Sequence, residues 1–453
     1  MLTGNGQKSN SAKASMESYR LQNALEKKLV EHLNNRLLKS RLRKLTVSPP
    51  GAVDFSSNDF LSLSTSSLLR SEFLEELKRY SDVFAIGSGG SRLLDGNSTY
   101  ADRLEDEIAA FHGAPAGLLW NSGFDANAGL FACIPQPGDI IIHDELIHAS
   151  VHDGMKLSRA AKHIPFAHNS VTHLRQLLET LIAENDGIRG GSKNIFIAVE
   201  SVYSMDGDLA PLADIKSLTK ELLTHDNGYI IVDEAHATGV LGPKGRGLVS
   251  ELGLENDIFA RLHTFGKGLG CNGAIVLCSL VVRSYLINYA RPLIFTTFMP
   301  FPSLAAIKAS YSLLSSGRTE AFAAHLRNLV IHLHSLLQQM ISKHSHYDGL
   351  KELLDVSASC PESPIFSLLT EHPRDLAKWC QERGFVVRPV VPPTVPTRRV
   401  RVCLHAGNTT EEVESLVDTV GNWLDGRILA MPTSRRVPKQ TTVDAHTSIK
   451  ARL

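Results

Sequence analysis

Residues 263–270 read HTFGKGLG and place one lysine, Lys267, between two glycines. Glycine has no Cβ, so the backbone beside this lysine can approach a ligand closely. Upstream, residues 229–236 read YIIVDEAH, an apolar run that ends in a carboxylate. This run predicts a buried strand that delivers Asp233 to its carboxyl end. A glycine-flanked lysine alone is typical of a surface turn, whereas the lysine and the strand-end aspartate together indicate a built site.

Lysine and aspartate are the residues that a pyridoxal phosphate (PLP) site requires. Enzymes bind PLP, an aldehyde, as a Schiff base with a lysine, and a carboxylate pairs with its ring nitrogen. We therefore expect Lys267 to hold the cofactor and Asp233 to keep the ring nitrogen protonated, so that the ring can stabilise a carbanion. The ordinary alternatives are a surface position for Lys267 and a turn-capping role for Asp233.

Composition places the chain among ordinary soluble globular proteins. It has 453 residues, 43% of them apolar and 21% charged, which is enough for two or three domains. The net charge of +0 does not favour a nucleic-acid partner. No apolar run approaches the ~20 residues of a membrane span. The cysteines lack CxxC spacing, so we assign no metal site.

Short apolar runs alternate with helical patterns from residue 54 onward, which predicts an α/β fold with a largely parallel sheet. The predicted strands are Ala116–Trp120, Asp139–His143, Asn194–Glu200, Gly228–Asp233 and Gly273–Ser279. The predicted helices between them include Tyr100–His112 and Val171–Glu184. Ligands of such sheets bind at the carboxyl ends of the strands, where most of the candidate residues fall.

After residue 300 the pattern changes to long helices and then to mixed elements. We divide the chain into an N-terminal arm (1–55), a large domain (56–302), a smaller α+β domain (303–426) and a flexible tail (427–453). Within the arm, we expect residues 1–15 to be disordered. Residues 17–46 are predicted to form an amphipathic helix, with leucines at every fourth position from Leu21 to Leu37.

Several segments, in this order, closely resemble the α-oxoamine synthases, which are PLP enzymes of fold type I. The segments are FSSNDFL (55–61), GSGGSR (87–92), SGF (122–124), HAS (148–150), ESVYSMDGD (200–208), DEAHATG (233–239), TFGKG (264–268) and PPTVP (392–396). The resemblance covers roughly Leu38 to Asp425. It implies an aspartate aminotransferase-like fold, with a large domain on a mostly parallel sheet and a smaller C-terminal α+β domain. It also implies a homodimer with active sites at the subunit interface.

The resemblance assigns roles around the cofactor ring. His148 would stack on the ring, His236 would contact its phenolic oxygen, and Glu200 and Ser204 would line the site. For His236 the alternative is an ordinary structural histidine. Around the phosphate, hydroxyl and N–H groups at a helix start suit an anion. The residues expected there are Ser122, Gly123, Phe124 and Thr264, with Thr296 and Thr297 reaching over from the neighbouring subunit.

An arginine is expected to bind the carboxylate of the amino-acid substrate, since a planar guanidinium makes paired bonds to a carboxylate. Arg401 is the candidate, and Arg399 competes because alternation puts both on one strand face. The loop before Arg399 is shorter than in the family, which leaves this choice open. Arg41 or Arg43 is the candidate for the far carboxylate of the acyl chain.

The motifs GSGGSR and PPTVP look most like the biotin-pathway members of the family, which join L-alanine to pimeloyl-CoA with loss of CO2. One alternative is a family member that uses glycine, serine, or another acyl or polyketide thioester. A second is an inactive scaffold that partners an active paralogue, and a third is a PLP aminotransferase. The inactive scaffold is disfavoured by the intact Lys267, Asp233, His236 and His148.

The chain ends in Ala451-Arg452-Leu453 after a polar, basic tail. This tripeptide is a variant of the Ser-Lys-Leu peroxisomal address, so we expect recognition by the peroxisomal import receptor. The alternatives are a terminus without a signal and a cytoplasmic enzyme.

Overall fold

The apolar runs of the sequence become strands, and the amphipathic stretches become helices. The computed structural model describes residues 23–39, 41–81 and 85–430. The strands are β1 (Val53–Asp54), β2 (Ala116–Trp120), β3 (Ile140–Asp144), β4 (Lys162–Phe166), β5 (Ile195–Glu200), β6 (Gly228–Asp233), β7 (Ala260–Thr264), β8 (Ala274–Cys278), β9 (Ile365–Leu369), β10 (Phe385–Val386), β11 (Arg388–Val390) and β12 (Arg399–Cys403).

The helices lie in the same described part of the chain. They are α1 (Ala24–Leu38), α2 (Ser67–Arg79), α3 (Thr99–Phe111), α4 (Gly123–Cys133), α5 (Ala149–Leu157), α6 (Val171–Glu184), α7 (Asp186–Arg189), α8 (Leu212–Leu222), α9 (Leu248–Glu251), α10 (Leu280–Tyr289), α11 (Arg291–Ile294), α12 (Phe301–Ser315), α13 (Glu320–Lys343), α14 (Leu350–Leu353), α15 (Pro373–Gln381) and α16 (Thr410–Leu429). Single 3-10 turns cover Leu63–Thr65 and Pro243–Gly245, and a wider turn covers Arg92–Gly96.

Within the described residues, seven strands form one sheet in the order β2-β8-β7-β6-β5-β3-β4. The five neighbouring strands β7, β6, β5, β3 and β4 run parallel to one another. Strand β8 runs antiparallel to both of its neighbours, β7 and β2. This confirms the expected fold class with its mostly parallel sheet. Because parallel strands end on the same edge, the residues that follow β5, β6 and β7 converge there.

The strand predictions agree with the structure to within one residue at each end. Two strands of the sheet, β4 and β7, were not predicted. The edge strand β4 reads KHIPF and exposes most of its side chains, so it lacks an apolar run. In β7 the polar Arg261 and His263 are buried, so this strand does not form a continuous apolar run in the sequence.

Both faces of the sheet are buried, as expected for parallel strands covered by helices. Along β5, Ile195, Ile197 and Val199 pack into the apolar cluster on one face. The alternating Phe196 and Ala198 pack into the cluster on the other face. Alternation with apolar residues on both faces gives the continuous apolar run that made this strand visible in the sequence.

A second, antiparallel sheet of β11, β12 and β9 follows, and its middle strand β12 carries both candidate arginines. The neighbouring short strands β10 and β11 separate here, since β10 pairs with β1 and only β11 joins this sheet. The described residues from Gly51 onward form one compact unit. The boundary placed near residue 302 therefore stays a prediction.

The segment 23–50 forms a separate unit that contains α1. Asn23 caps this helix, and the chain after residue 40 is not helical, so the predicted helix 17–46 is too long at its carboxyl end. The leucines of its stripe from Leu25 to Leu37 are exposed. Residues 1–15, Leu21 and the tail from residue 431 lie outside the described residues. No helix of the described residues has the length and apolarity needed to cross a bilayer.

Candidate active site

A cavity of about 290 Å³ lies at the carboxyl ends of β5, β6 and β7. The predicted site residues that line it are Ser122, Gly123, Phe124, His148, Glu200, Asp233, His236, Thr264 and Lys267. The lining residues that were not predicted are Asn58, Asn127, Ala235, Leu262, Gly266, Asn272 and Gly273. Topology thus brings together residues that lie as much as 215 positions apart in the chain, from Asn58 to Gly273.

Two carboxylates stand side by side at this edge. Glu200 ends β5, Asp233 ends β6, and the two are directly paired in the parallel register. Both side chains are buried. Burial and then the charge of Asp233 raise the pKa of Glu200 well above its ordinary value. The site therefore favours the protonated form of Glu200.

Asp233 is fixed by two donors. The amide of Asn127 donates to its Oδ2 at 2.8 Å, and the backbone N–H of Ala235 donates to its Oδ1 at 2.9 Å. Asn127 also donates to the Ser150 hydroxyl at 3.0 Å. The only sequence signal for Asn127 is its place one helical turn after Gly123 in α4. That signal is weak, because an asparagine in a helix is usually unremarkable.

Lys267 lies on the loop that leaves β7. Burial lowers the pKa of its amine, and the nearby charges of Asp233 and Glu200 oppose that shift. The surrounding glycines allow a tight passage. A Cβ on Gly268 would lie 2.7 Å from the carbonyl oxygen of Thr238, and one on Gly270 would lie 2.5 Å from the Ser64 nitrogen. The glycines therefore serve the packing of the loop as well as access to the lysine.

His148 presents an exposed ring to the cavity, which suits a side chain that stacks on a planar ligand. It caps α5, and its Nδ1 accepts the Ser150 backbone N–H at 3.2 Å. The Phe124 ring meets it edge to face, with ring centroids 6.4 Å apart. The cavity desolvates part of the His148 side chain, which lowers its pKa and favours the neutral imidazole.

The cavity has unsatisfied polar atoms where PLP would bring partners. The Nδ1 of His236 and the Oγ1 of Thr264 are buried and have no hydrogen-bond partner within the described residues. Burial lowers the pKa of His236 well below its ordinary value, so its ring is neutral. A buried polar atom without a partner is costly, so these atoms are expected to meet a ligand. They fit a phenolic oxygen and a phosphate.

The start of α4 supplies the second part of the phosphate region. A Cβ on Gly123 would lie 2.3 Å from the Thr264 side chain, so only glycine lets the helix start approach β7 this closely. Ser122 caps the helix, and its hydroxyl donates to the Asp125 carboxylate at 2.8 Å. That hydroxyl is therefore already engaged, whereas the Thr264 hydroxyl is not.

Thr296 and Thr297 do not line this cavity. The Thr297 carbonyl accepts a hydrogen bond from Asn121 at 2.7 Å, and the Thr297 side chain is exposed. Their expected role, which requires a neighbouring subunit, stays a prediction. Arg41 is exposed and belongs to the separate 23–50 unit, so its role also stays a prediction.

Two arginines of β12 contact the loop that contains Ser204, but they do so differently. Arg401 donates from Nε to the Ser204 carbonyl at 2.7 Å and from Nη2 to the Asn58 amide oxygen at 2.9 Å. Asn58 lines the cavity. Arg399 forms an ion pair with Asp206 and a hydrogen bond to Thr397. The geometry therefore favours Arg401 over Arg399 as the substrate-binding arginine.

Comparisons with known proteins identify the family and the fold that this chain resembles. The model of the family described as aminotransferase class I and II matches residues 50–420. An 8-amino-7-oxononanoate synthase from Emericella nidulans is 54% identical over 88% of this chain and 96% of that protein. The aminoacyl transferase sphA of Byssochlamys spectabilis is 40% identical over 82% of this chain and 80% of that protein. A serine palmitoyltransferase from S. paucimobilis, solved with a bound PLP–myriocin aldimine, matches with a TM-score of 0.75 at 23% identity. This match covers 89% of this chain and 100% of that one, and it shows a shared fold.

The donor from Asn127 gives a first prediction. Replacing it in Asn127→Leu removes a hydrogen bond to a buried carboxylate, a loss of about 1.5–3 kcal/mol. We expect the affinity for PLP to fall by roughly ten- to a hundredfold, measured by equilibrium dialysis of the apoprotein. Asn288→Leu, on the exposed face of α10, is the matched control and should bind PLP as the wild type does. Equal affinity of Asn127→Leu and wild type would contradict the role of Asn127.

Proposed function

The chain belongs to the α-oxoamine synthases within the aminotransferase class I and II family and is a PLP-dependent acyltransferase, and we propose that it condenses L-alanine with pimeloyl-CoA. The products would be 8-amino-7-oxononanoate, CoA and CO2, a reaction of biotin synthesis. The observation that carries the proposal is the cavity in which Lys267, Asp233 and His148 meet beside Arg401. The 54% identity to an 8-amino-7-oxononanoate synthase supports the choice of substrates.

PLP, when bound, supplies an electron sink for the electron pair that remains on the alanine Cα after loss of its proton. Asp233 would pair with the ring nitrogen, and His148 would lie against the ring. The free Nδ1 of His236 would donate to the phenolic oxygen, and the free hydroxyl of Thr264 would bind the phosphate. The N–H groups of Gly123 and Phe124 at the start of α4 would complete the phosphate site.

The Nζ atom of Lys267 would have two roles in the reaction. It would hold the cofactor before the substrate arrives, and the amine would then take the proton from the alanine Cα. A general base must be unprotonated, and burial lowers the pKa of Lys267 in the direction that this requires.

Arg401 would bind the alanine carboxylate. Its Nε and one terminal nitrogen are held by the Ser204 carbonyl and by Asn58, which fix the plane of the guanidinium. Fixing that plane lets it present donors to a carboxylate in the paired geometry that guanidinium favours. In the overall reaction the alanine Cα bonds to the thioester carbonyl, CoA leaves as the thiol, and the alanine carboxylate leaves as CO2.

The alternative function keeps the same chemistry with other substrates, namely glycine or serine as the amino acid, or a different acyl or polyketide thioester. The 40% identity to the aminoacyl transferase sphA supports this alternative. The deciding experiment measures thiol release from pimeloyl-CoA by the purified PLP-loaded protein, with L-alanine, glycine and L-serine in parallel. We expect release with alanine alone, and the amino ketone by mass spectrometry. Release only with glycine or serine, or none despite bound PLP, would overturn the proposed substrates.

We also propose a homodimer. Thr296 and Thr297 resemble a hydroxyl pair that reaches the phosphate of the neighbouring subunit, and the adjoining Phe295 side chain is 70% exposed in the single chain. Sedimentation should give twice the mass of 49.5 kDa, and the mass of a single chain would contradict the proposal.

Finally, we propose import into peroxisomes through Ala451-Arg452-Leu453, which lie outside the described residues. The support is the similarity of this tripeptide to the Ser-Lys-Leu address. The wild-type chain, with a fluorescent protein fused to its N-terminus, should colocalise with peroxisomes, and deletion of the tripeptide should move it to the cytoplasm. A deleted chain that still reaches peroxisomes would contradict the proposal.

A further inference from the structure

The loop 201–209 follows β5 and precedes α8, and it packs between the seven-stranded sheet and the three-stranded sheet. At its base, Val202 bridges to Leu209, and Ser201 donates its N–H to the Asp233 carbonyl at 2.9 Å. Toward β9, the Ser363 hydroxyl donates to the Gly207 carbonyl at 2.6 Å. A Cβ on Gly207 would lie 2.3 Å from the Ile365 carbonyl oxygen. The loop is therefore packed tightly against the second sheet.

This loop also sets the position of Arg401. The Ser204 carbonyl accepts the Nε–H of Arg401 at 2.7 Å, and the guanidinium plane follows from that bond and the one to Asn58. A shift of the loop would move the carbonyl that fixes the guanidinium plane presented to a substrate carboxylate. The geometry of amino-acid binding thus depends on what holds residues 201–209.

One end of the loop is held by a histidine from outside it. His168, which follows β4, faces the Asp208 Oδ2 with its Nε2 at 2.7 Å and the Asp144 Oδ1 with its Nδ1 at 2.9 Å. A carboxylate only accepts, so both ring nitrogens must donate, which requires the imidazolium. Asp144 is fully buried at the end of β3 and also accepts the N–H groups of Leu146 and Asn169.

The surroundings keep this imidazolium charged. Burial alone would lower the pKa of His168, but its hydrogen bonds and charge interactions with Asp144 and Asp208 raise it to about 10. Glu145 accepts the His168 backbone N–H at 3.0 Å, and the Tyr203 ring meets the imidazole edge to face at 4.5 Å. The positive charge therefore persists through the neutral pH range, and the bond to Asp208 with it.

We propose that His168 is a positioning residue for amino-acid binding. Its imidazolium ties Asp208 to Asp144, holds the loop 201–209 in place, and so keeps the Ser204 carbonyl where it orients Arg401. The inference rests on the amino-acid site of the proposed function, and it adds a residue that touches neither cofactor nor substrate.

The test uses His168→Gln, which removes the charge and one of the two donors. L-Alanine is titrated into PLP-loaded protein without any acyl thioester, and binding is followed by the change in the absorption of the bound PLP. We expect the dissociation constant for alanine to rise roughly tenfold, the loss of one charge-assisted hydrogen bond. Amide hydrogen exchange of residues 201–209 should become faster. His163→Gln, on the exposed edge strand β4, is the matched control and should change neither quantity.

The outcomes separate the two proposals. If the wild type responds to none of alanine, glycine and serine, the proposed function fails. If the wild type binds alanine and His168→Gln binds it equally well, this inference is overturned while the proposed function stands. Should His168→Gln not fold or not retain PLP, Asp208→Asn keeps the pair of His168 and Asp144 and removes the negative charge that faces the imidazolium and that also accepts from the Asn169 amide. An unchanged alanine affinity in Asp208→Asn would equally overturn the inference.

Discussion

The arrangement of charge at the end of the parallel strands governs the rest of the structure. Glu200 and Asp233 are paired in register and buried, and a lysine amine shares their cavity. Two adjacent buried carboxylates cannot both ionise without a large cost, and the raised pKa of Glu200 favours its protonated form. The charge of Asp233 is then available for a cationic ring nitrogen, and it also opposes the loss of the proton from Lys267.

The other features of the site follow from that pair. Asn127 and the Ala235 N–H fix the charged carboxylate, and the Ser150 hydroxyl links Asn127 to the loop of His148. The free polar atoms of His236 and Thr264 remain without protein partners within the described residues, which is the state of a site prepared for a polar ligand. On the substrate side, contacts from the loop 201–209 orient Arg401, and His168 anchors that loop.

Sequence patterns were sufficient for the parts of the molecule that are apolar and local. The run of β6 located Asp233, and the glycine-rich loop located Lys267. The strand before that loop, β7, was missed because its buried Arg261 and His263 interrupt the apolar pattern. Asn127 was missed as well, since nothing local distinguishes an asparagine that reaches a site from one that faces solvent. Asn58 lies in the family-like segment FSSNDFL, but no role was predicted for it. The choice between Arg399 and Arg401 required the tertiary contacts of Asp206 and Asn58, which no spacing rule contains.

The central claim is that Lys267 holds PLP in the cavity at the ends of β5, β6 and β7. Reduction of the purified PLP-loaded protein with borohydride fixes the cofactor to the amine that binds it, and mass spectrometry of the peptides then identifies that residue. The expected result is a single pyridoxyl group on Lys267. A label on another lysine, or a PLP-loaded protein in which reduction leaves no label, would contradict the claim.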